Sequence, residues 1–507
     1  MEAGAKLYNI KTITTQNAPM PFVTQQSNLS LPEALSIEAS GIKGEDAITN
    51  DWSIVRIEND DITFDNNQSH LGLFVNEKDS YNNPITYHVA NNSELNVSWY
   101  LKLDGFIDLE GESMLIQGID SELDVESKGK IERDQQGTAD LYTYNYWSSP
   151  VGKINEASNN APYILKDVLR DGTDPSTPKL INWISSGFDG AATNPIGIAD
   201  YWIWKFNNYL SEDFALWQHI RSNGFLSAGE GFTMKVPGTG TFLQNQNYVF
   251  VGKPNNGDIN LQLNAGNNYL IGNPYPSAID AYKFINDNRN ALGNANGAEG
   301  EVNSAFNGTI YFWNHWGGGS HQLSDNKGSY GIYNLSGSVP AAYYGADAQE
   351  FALGRTPTHL PGRYIPISQG FFVMSKKTGL LKFNNSQRVF QKEATSNSVF
   401  MRNDEAEEND LRMKLRIGFK SVNTIQRQLL LTIDSLATPS IDYGFDAEVL
   451  DDLIDDMFWV IEGDKYTIQG LDSIDQNTIL PVGVKVDNSG SNEITLDALE
   501  NVTDDIN

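Results

Sequence analysis

Clusters of acidic and amide side chains offer the clearest metal chemistry in this sequence. Calcium binds several hard oxygen ligands supplied by carboxylates, amides and carbonyls. Such oxygens are dense at residues 59–61, 65–67 and 451–456. None of these segments follows the EF-hand loop pattern, and turn capping by solvated Asp and Asn side chains is the alternative interpretation. Calcium is therefore the candidate cofactor, and its candidate ligands are Asp60, Asp61, Asp65, Asp451, Asp452, Asp455 and Asp456.

A second candidate site is the aromatic segment at residues 311–316 and the glycine-rich segment that follows it. In a strand, alternation places Trp313 and His315 on one face and Trp316 on the other. Trp316 borders the glycine-rich loop, where we expect it to be exposed and to stack on a sugar ring. His315 and His321 offer a transition metal two ligands, but no carboxylate spacing completes the set, and ordinary loop histidines are the alternative. The candidate ligand-binding residues are Trp313, His315, Trp316 and His321.

Familiar catalytic motifs are missing from the sequence. There is no Gly-x-Ser-x-Gly elbow, no His-Glu-x-x-His pair, no Walker loop and no Gly-x-Gly-x-x-Gly after a strand. The chain has no cysteine, which removes disulfides, thiolate catalysis and cysteine–zinc sites. With 65 acidic residues, carboxylate pairs spaced for glycoside hydrolysis are always present and therefore carry no information. We predict that the chain is not an enzyme.

Charge and length restrict the partners and the architecture. The 65 acidic and 35 basic side chains give a formal charge of −30, which repels nucleic acid and anionic lipid. No apolar run is long enough to span a bilayer, so we expect no membrane insertion. At 507 residues the chain predicts several domains, and abundant glycine and aromatic residues favour short strands joined by polar loops. The first residues do not resemble a signal peptide, and we expect an export signal to lie outside this sequence.

Turn residues and alternation predict an all-β, multidomain fold. Residues 1–94 read as an N-terminal β region of short strands and polar loops. Over residues 95–140 apolar pieces recur between turns every six to eleven residues, which predicts a β-meander or a short solenoid.

Residues 141–390 contain a degenerate duplication, which predicts two related β units at 141–265 and 266–390. The openings at 144–152 and 269–276 match each other, as do the aromatic strands at 201–206 and 311–316. The segments 226–234 and 365–373 match next, followed by asparagine-rich closings around Phe242 and Phe383. Four matches in one order indicate two copies packed together, with a period too long for a solenoid.

The remainder of the chain is predicted to be a linker at 391–410 and a β-sandwich at 411–507. The linker is polar and highly charged, whereas the segments after it alternate apolar and polar residues. The last residues read as the approach to another strand, so we expect the sandwich to be truncated here. Its open edge would then pair with a strand from elsewhere, including another molecule, or be mobile.

Several of these motifs together resemble large Bacteroidota cell-surface proteins of the adhesin type that are secreted by the type IX system. The resemblance covers about residues 95–507 and rests on 144–152, 270–276, 309–313, 367–373, 442–447, 462–465 and 497–501. It implies an extracellular protein at the bacterial cell surface, without catalytic residues, that binds a glycan or another surface component. Two alternatives remain: an accessory or catalytic part of a secreted polysaccharide-degrading enzyme, and a self-assembling fibre or sheath subunit.

Overall fold

The computed structural model describes residues 22–25, 54–59, 62–64, 66–209, 216–289, 305–317, 319–322, 325–344, 360–393, 410–451 and 453–502. Within them the chain forms 40 strands and two helices, α1 (Leu165–Val168) and α2 (Ala281–Arg289). The predicted all-β fold class is confirmed. No helix among these residues is long and apolar enough to cross a membrane.

The first part of the structure is a parallel β-solenoid, whose coils place strands alternately in two sheets. All pairs between successive coils are parallel. Sheet 1 contains β1 (Phe22–Gln25), β2 (Ile54–Ile57), β4 (Gln68–Val75), β6 (Glu94–Leu103), β8 (Met114–Gln117) and β9 (Glu122–Leu123). The solenoid part of sheet 2 contains β3 (Ile62–Phe64), β5 (Thr86–Val89), β7 (Phe106–Leu109) and β10 (Lys130–Thr138). Of the two arrangements predicted for 95–140, the structure has the solenoid, and the earlier strands join it.

Four solenoid corners share one kind of turn, which ends on a buried serine. The serine N–H donates to the carbonyl oxygen three residues earlier, at 2.8–3.1 Å. A small side chain fits this position because the next coil packs directly against it. At one corner the serine hydroxyl also accepts a hydrogen bond from the Leu103 N–H of the preceding coil, at 3.0 Å. The four residues, none more than 4% exposed, are Ser93, Ser113, Ser121 and Ser127.

Sheet 2 continues into the first repeat unit, which we call unit one. Unit one begins at β10 and ends at the strand that pairs with β10. That strand is β23 (Asn245–Pro254), and its other neighbours are β12 (Val151–Gly152) and β14 (Leu169–Asp171), with β15 (Lys179–Leu180) beyond β14. Sheet 3 follows the order β11 (Tyr144–Trp147), β22 (Phe232–Lys235), β18 (Trp204–Lys205), β20 (Gln218–His219). Two small pairs complete the unit: β13 (Tyr163–Ile164) with β21 (Phe225–Leu226), and β16 (Asn182–Ile184) with β17 (Gly197–Ala199).

The second repeat unit, unit two, begins at β24 (Ile259–Leu263), which pairs with β32 (Gly379–Phe383). Sheet 4 follows the order β25 (Asn268–Gly272), β31 (Gly370–Met374), β27 (Ile310–Gly317), β28 (Lys327–Asn334), β29 (Gly337–Val339). A strand of unit one, β19 (Asn207–Asn208), pairs with the outer side of β25. A three-stranded sheet contains β26 (Ala278–Asp280), β30 (Tyr364–Ile365) and β33 (Arg388–Val389).

The two units share strand order and register. In chain order, β10, β11, β13, β18, β21, β22 and β23 correspond to β24, β25, β26, β27, β30, β31 and β32, with α1 and α2 at the same place. Trp147 pairs with Phe232 in unit one as Ile271 pairs with Phe371 in unit two. Strands β10 and β24 precede the predicted starts at 141 and 266 but belong to the units through these pairings.

One detail of the predicted alignment is wrong. The prediction matched Tyr201 with Tyr311, whereas the register matches Trp204 with Tyr311, because these residues face Thr233 and Phe372 at equivalent positions. The reason is local: Asp200–Trp202 forms a 3-10 helix, so the strand begins only at Trp204.

The two units also meet through equivalent contacts. A bridge joins Trp147 of unit one to Gln369 of unit two, and a second bridge joins Ile271 of unit two to Glu230 of unit one. Because Trp147 corresponds to Ile271 and Glu230 to Gln369, exchanging the units reproduces the same contact. The units are therefore related by a local twofold pseudosymmetry.

The C-terminal region forms sheet 5, which packs against unit two. Its order is β39 (Val482–Lys485), β37 (Asp456–Ile461), β38 (Asp464–Leu471), β35 (Gln426–Ile433), β34 (Lys414–Lys420), β40 (Glu493–Glu500), and β36 (Ala447–Glu448) pairs with β38. Leu430, Ala447 and Ile468 share a buried cluster with Tyr311 and Ile332 of sheet 4, which makes a β-sandwich-like arrangement. Strand β40 is an edge, and no strand of the described chain lies on its outer side.

Most of the predicted linker 391–410 lies outside the described residues. At its two ends, Glu393 accepts a hydrogen bond from Gln135, and Asp410 forms ion pairs with Arg412 and Lys414.

Candidate cation-binding cleft

The outer face of sheet 2 carries a row of polar side chains built by parallel pairing. His88 in β5 is in register with Asp108 in β7, and Asp108 is in register with Glu132 in β10. Neighbouring strands lie about 4.8 Å apart, so side chains in register stack on one another. The alternate residues point inward and are fully buried: Tyr87, Val89, Ile107, Leu109 and Ile131. The apolar core of the solenoid thus fixes the direction of the row.

One potential metal-ligand atom from each of His88, Asp108 and Glu110 lies close to the other two. His88 Nδ1 lies 3.0 Å from Asp108 Oδ2 and 3.7 Å from Glu110 Oε1. One ligand atom from each residue lies within 4.8 Å of the other two, and all three side chains are half-buried. Among the described residues, this is the group of three or more His, Asp or Glu side chains whose ligand atoms lie close enough together to hold one metal ion. We call His88, Asp108, Glu110, Glu132 and Asp134 the acidic cleft.

The cleft has a volume of about 930 Å³ and lies between the solenoid and unit one. The solenoid contributes most of the carboxylates together with Arg133, Glu393 adds one more, and Gly172, Thr173 and Asn247 of unit one form the opposite wall. Asn247 Nδ2 donates to Asp134 Oδ1 at 2.7 Å, which connects the two walls. Amides, hydroxyls and carboxylates therefore line a space large enough for more than a bare ion.

Burial and mutual repulsion raise the pKa values of the carboxyl groups. The pKa of Glu132 rises to about 7, first because the side chain is desolvated and then because Asp108 and Asp134 are close. Desolvation also raises the pKa of Glu110, with Asp108 adding to the effect. Desolvation raises the pKa of Asp134, although the Asn247 hydrogen bond and Arg133 oppose it. A cation among these groups would favour their ionised forms.

The donor set fits a divalent cation. Two or three carboxylates supply hard oxygens for calcium, while an imidazole is a better ligand for manganese or zinc. The 3.0 Å contact between His88 Nδ1 and Asp108 Oδ2 requires a proton between the two atoms. Both atoms are lone-pair donors once that proton leaves, so a metal ion would take its place.

The structure assigns the predicted C-terminal calcium ligands to other contacts. Arg427, which is buried, forms ion pairs with both Asp451 and Asp456. Asp455 accepts hydrogen bonds from Asn423 Nδ2 and the Asp487 N–H, at 2.8 Å each. Protein donors thus engage the carboxylates of all three residues, and calcium binding at 451–456 stays a prediction. Four further predicted ligands lie outside the described residues: Asp60, Asp61, Asp65 and Asp452.

The structure also shows the surroundings of the predicted aromatic ligand-binding residues. Trp316 is 1% exposed and packs against Tyr343 and Tyr344, so the prediction that it is exposed is wrong. His315 is buried, accepting from the Tyr144 N–H through Nδ1 and donating to the Gly317 carbonyl through Nε2. Strand β27 lies inside sheet 4 with both faces covered, which is the physical reason.

The other two predicted residues are partly buried. Trp313 stacks on Tyr146 with ring centroids 5.8 Å apart. His321 donates to Asp189 and stacks on Trp202. These two side chains point to different neighbours and do not join in one site.

Sequence reasoning missed the acidic cleft because its residues are 20 and 24 positions apart along the chain. His88, Asp108 and Glu132 become neighbours only when each coil adds one turn to the solenoid. The recurrent turns ending on Ser93 and Ser113 carried the signal, since they mark one coil length.

Comparison with known proteins identifies a family and no characterised relative. The family model described as a domain of unknown function (DUF8693) matches residues 183–506, which is more than half of the chain. The match includes part of unit one, all of unit two and sheet 5, and excludes the solenoid. No curated protein and no solved structure matches the chain. The chain belongs to the DUF8693 family.

Proposed function

We propose that this chain is an extracellular bacterial surface protein that binds a glycan, or another surface component, with the help of a divalent cation. The observation that carries the proposal is the convergence of His88, Asp108 and Glu110 in a large polar cleft. A cation held there keeps coordination positions for hydroxyl or carboxylate groups of a ligand. The adhesin-like resemblance of the sequence supports the location at the cell surface and the absence of catalysis.

Calcium is the proposed ion because oxygen ligands outnumber nitrogen in the cleft. Glu132 and Asp134 extend the oxygen set beyond the three converging residues, and the Asn247 amide lies beside them. An imidazole ligand would shift the preference toward manganese. Titrations with both ions separate these two cases.

The test is isothermal titration of the full chain with calcium chloride and with manganese chloride at neutral pH. We expect one site, weakened at least about ten-fold in Asp108→Asn because one charged ligand is lost. Asp258→Asn is the matched control, since that carboxylate is exposed and lies directly before β24, outside the cleft. At about 100 times its dissociation constant, the ion should also stabilise the chain by about 2.7 kcal/mol. Equal affinity in Asp108→Asn and in the wild type contradicts the proposed site.

A second candidate function is polysaccharide cleavage, favoured by the state of Glu132. Its pKa of about 7 keeps the carboxyl protonated part of the time at neutral pH, beside Asp108 on the next strand. A protonated carboxyl next to a carboxylate is the pair that glycoside hydrolysis uses. Release of reducing ends from polysaccharides, abolished in Glu132→Gln, would favour the enzyme. Binding without release, unaffected by that change, would favour the surface protein.

A further inference from the structure

Equivalent strands of the two units carry equivalent rows of side chains on one sheet face. In sheet 3, direct pairing across four strands defines the unit-one row as Tyr146, Thr233, Trp204 and His219. In sheet 4, the same positions define the unit-two row as Leu270, Phe372, Tyr311 and Ile332. Residues directly opposite in antiparallel strands have their side chains on the same face. The two rows can therefore be compared residue by residue.

Sheet 5 covers the outer end of the unit-two row. All four of its residues are at most 2% exposed. The Tyr311 hydroxyl donates to the Glu448 carbonyl at 3.1 Å, and the Thr309 hydroxyl donates to the Asp446 carbonyl at 3.2 Å. Leu430 and Ile468 of sheet 5 complete the packing. In unit two, the outer end of the row is an internal interface.

The unit-one row ends in solvent. Trp204 is half-buried and His219 is exposed, although both correspond to fully buried residues in unit two. Their rings stack with centroids 4.0 Å apart and an angle of 13°. Tyr201 lies edge-on to His219 at 5.1 Å, and Phe188, which is 51% exposed, lies 4.8 Å from Tyr201. We call Phe188, Tyr201, Trp204 and His219 the aromatic platform.

The chemistry of the platform favours a sugar. Aromatic rings offer flat apolar faces to the C–H groups of a pyranose, and their polar edges tolerate water. Burial lowers the pKa of His219, with Arg221 adding to the effect, so the imidazole is neutral at physiological pH. Gln218 and Asn207, both exposed, hydrogen bond to each other beside the platform and supply amide groups for hydroxyls. The charge of −30 disfavours an anionic ligand.

We infer that the aromatic platform is a binding site for neutral glycans that works without a metal ion. It would be a second site, separate from the acidic cleft. The inference rests on the proposed function in that the partner is a glycan, but it does not require the proposed cation. The platform lies within the residues that the family model matches, whereas the acidic cleft does not.

The experiment is binding of the full chain to a printed array of neutral oligosaccharides, in calcium and in EDTA. We expect binding in both, reduced at least about ten-fold in Trp204→Ala because a central stacking ring is lost. Tyr81→Ala is the matched control, since Tyr81 is an 85% exposed aromatic residue on the solenoid. His219→Ala replaces the test variant if Trp204→Ala fails to give the wild-type circular dichroism spectrum.

The outcomes separate this inference from the proposed function. Binding that persists in EDTA and in Asp108→Asn, but is lost in Trp204→Ala, supports the platform and contradicts a role for the cation. Binding lost in EDTA and in Asp108→Asn, but kept in Trp204→Ala, overturns the platform and leaves the cation site standing. No binding to any neutral glycan, with a protein partner instead protecting Trp204 from oxidation, also overturns the inference.

Discussion

Units one and two have the same strand order and register, yet their sheets meet different surroundings. In unit two the row through Phe372 and Tyr311 is fully buried, and sheet 5 covers its outer end. In unit one the corresponding row ends in the half-buried Trp204 and the exposed His219. Duplication thus supplies two copies of one surface, of which one attaches a domain and the other stays accessible. The proposed aromatic platform lies on the copy without a cover.

The first strands of the two units also differ in their side chains. In unit one, β10 carries Asp134 on the wall of the acidic cleft and Glu132 in register with Asp108. The corresponding strand of unit two, β24, contains no carboxylate. Unit one therefore carries the aromatic platform and one wall of the acidic cleft, whereas unit two packs against sheet 5.

The largest expected effect on stability comes from removing a buried ring from the unit-two row. Phe372→Ala should lower the free energy of unfolding by about 3–5 kcal/mol, because a fully buried ring leaves a cavity. Trp204→Ala, at the open end of the unit-one row, should cost about 1 kcal/mol. Urea denaturation followed by circular dichroism measures both. Similar losses in the two variants would show that the rows are equally buried.

A somewhat smaller effect is expected from the ion pairs that hold sheet 5 together near unit two. Arg427→Met leaves Asp451 and Asp456 without their shared cation, which should cost about 3 kcal/mol. Asp451 also accepts a hydrogen bond from Ser329 of unit two, so the cover itself should loosen. Adding Asp456→Asn to the variant should recover part of the loss. An unchanged denaturation midpoint in Arg427→Met would contradict this role.

The pseudosymmetry predicts matched effects at two glycines. A Cβ at Gly231 would lie 2.8 Å from the Ile271 carbonyl oxygen, and one at Gly370 would lie 2.7 Å from the Trp147 nitrogen. Both are contacts with the backbone of the other unit, so each Gly→Ala variant should lose about 1–3 kcal/mol. Gly319→Ala, where a Cβ meets nothing within 4 Å, is the control. A loss at only one of the two positions would break the proposed equivalence.

A further expected effect is the pH dependence of the acidic cleft. Glu132 has a higher pKa in the folded chain than in the unfolded chain, so the folded state holds more protons above about pH 4.5. Its contribution to stability is then lost progressively as the pH rises from about 4.5 to about 7. Glu132→Gln should reduce the fall in melting temperature between about pH 5 and about pH 7.5. The same slope in the variant and the wild type would contradict the assigned pKa.

Local sequence patterns predicted the strands and the duplication well, because alternation and repeated motifs are local properties. The order of elements in the two units follows from the matches at residues 144–152, 226–234 and their counterparts. The predicted alignment of the aromatic strand was shifted by three residues. The sequence of residues 201–206 contains no signal that Asp200–Trp202 forms a 3-10 helix.

Side-chain surroundings could not be predicted in the same way. Trp316 and Trp204 lie in similar aromatic segments, yet one is buried by neighbouring strands and the other faces solvent. Trp316 is covered by Tyr343 and Tyr344, which follow it in the chain by 27 and 28 residues. Sheet 5 in turn packs on the outer end of the unit-two row through Leu430, Ala447 and Ile468. The pairing of Asp451 and Asp456 with Arg427 was likewise not predicted, because Arg427 lies 24 and 29 residues away in the chain.

The most direct test of the difference between the units is hydroxyl-radical footprinting of the free, monomeric chain, read by mass spectrometry. The structure predicts oxidation of Trp204 and His219 and protection of Tyr311 and Phe372, because only the first two reach solvent. Tyr81, which is 85% exposed, provides the reference for full reactivity. Protection of Trp204 and His219 to the level of Tyr311 would show that the unit-one row is covered as well. The account of an accessible platform on unit one would then be wrong.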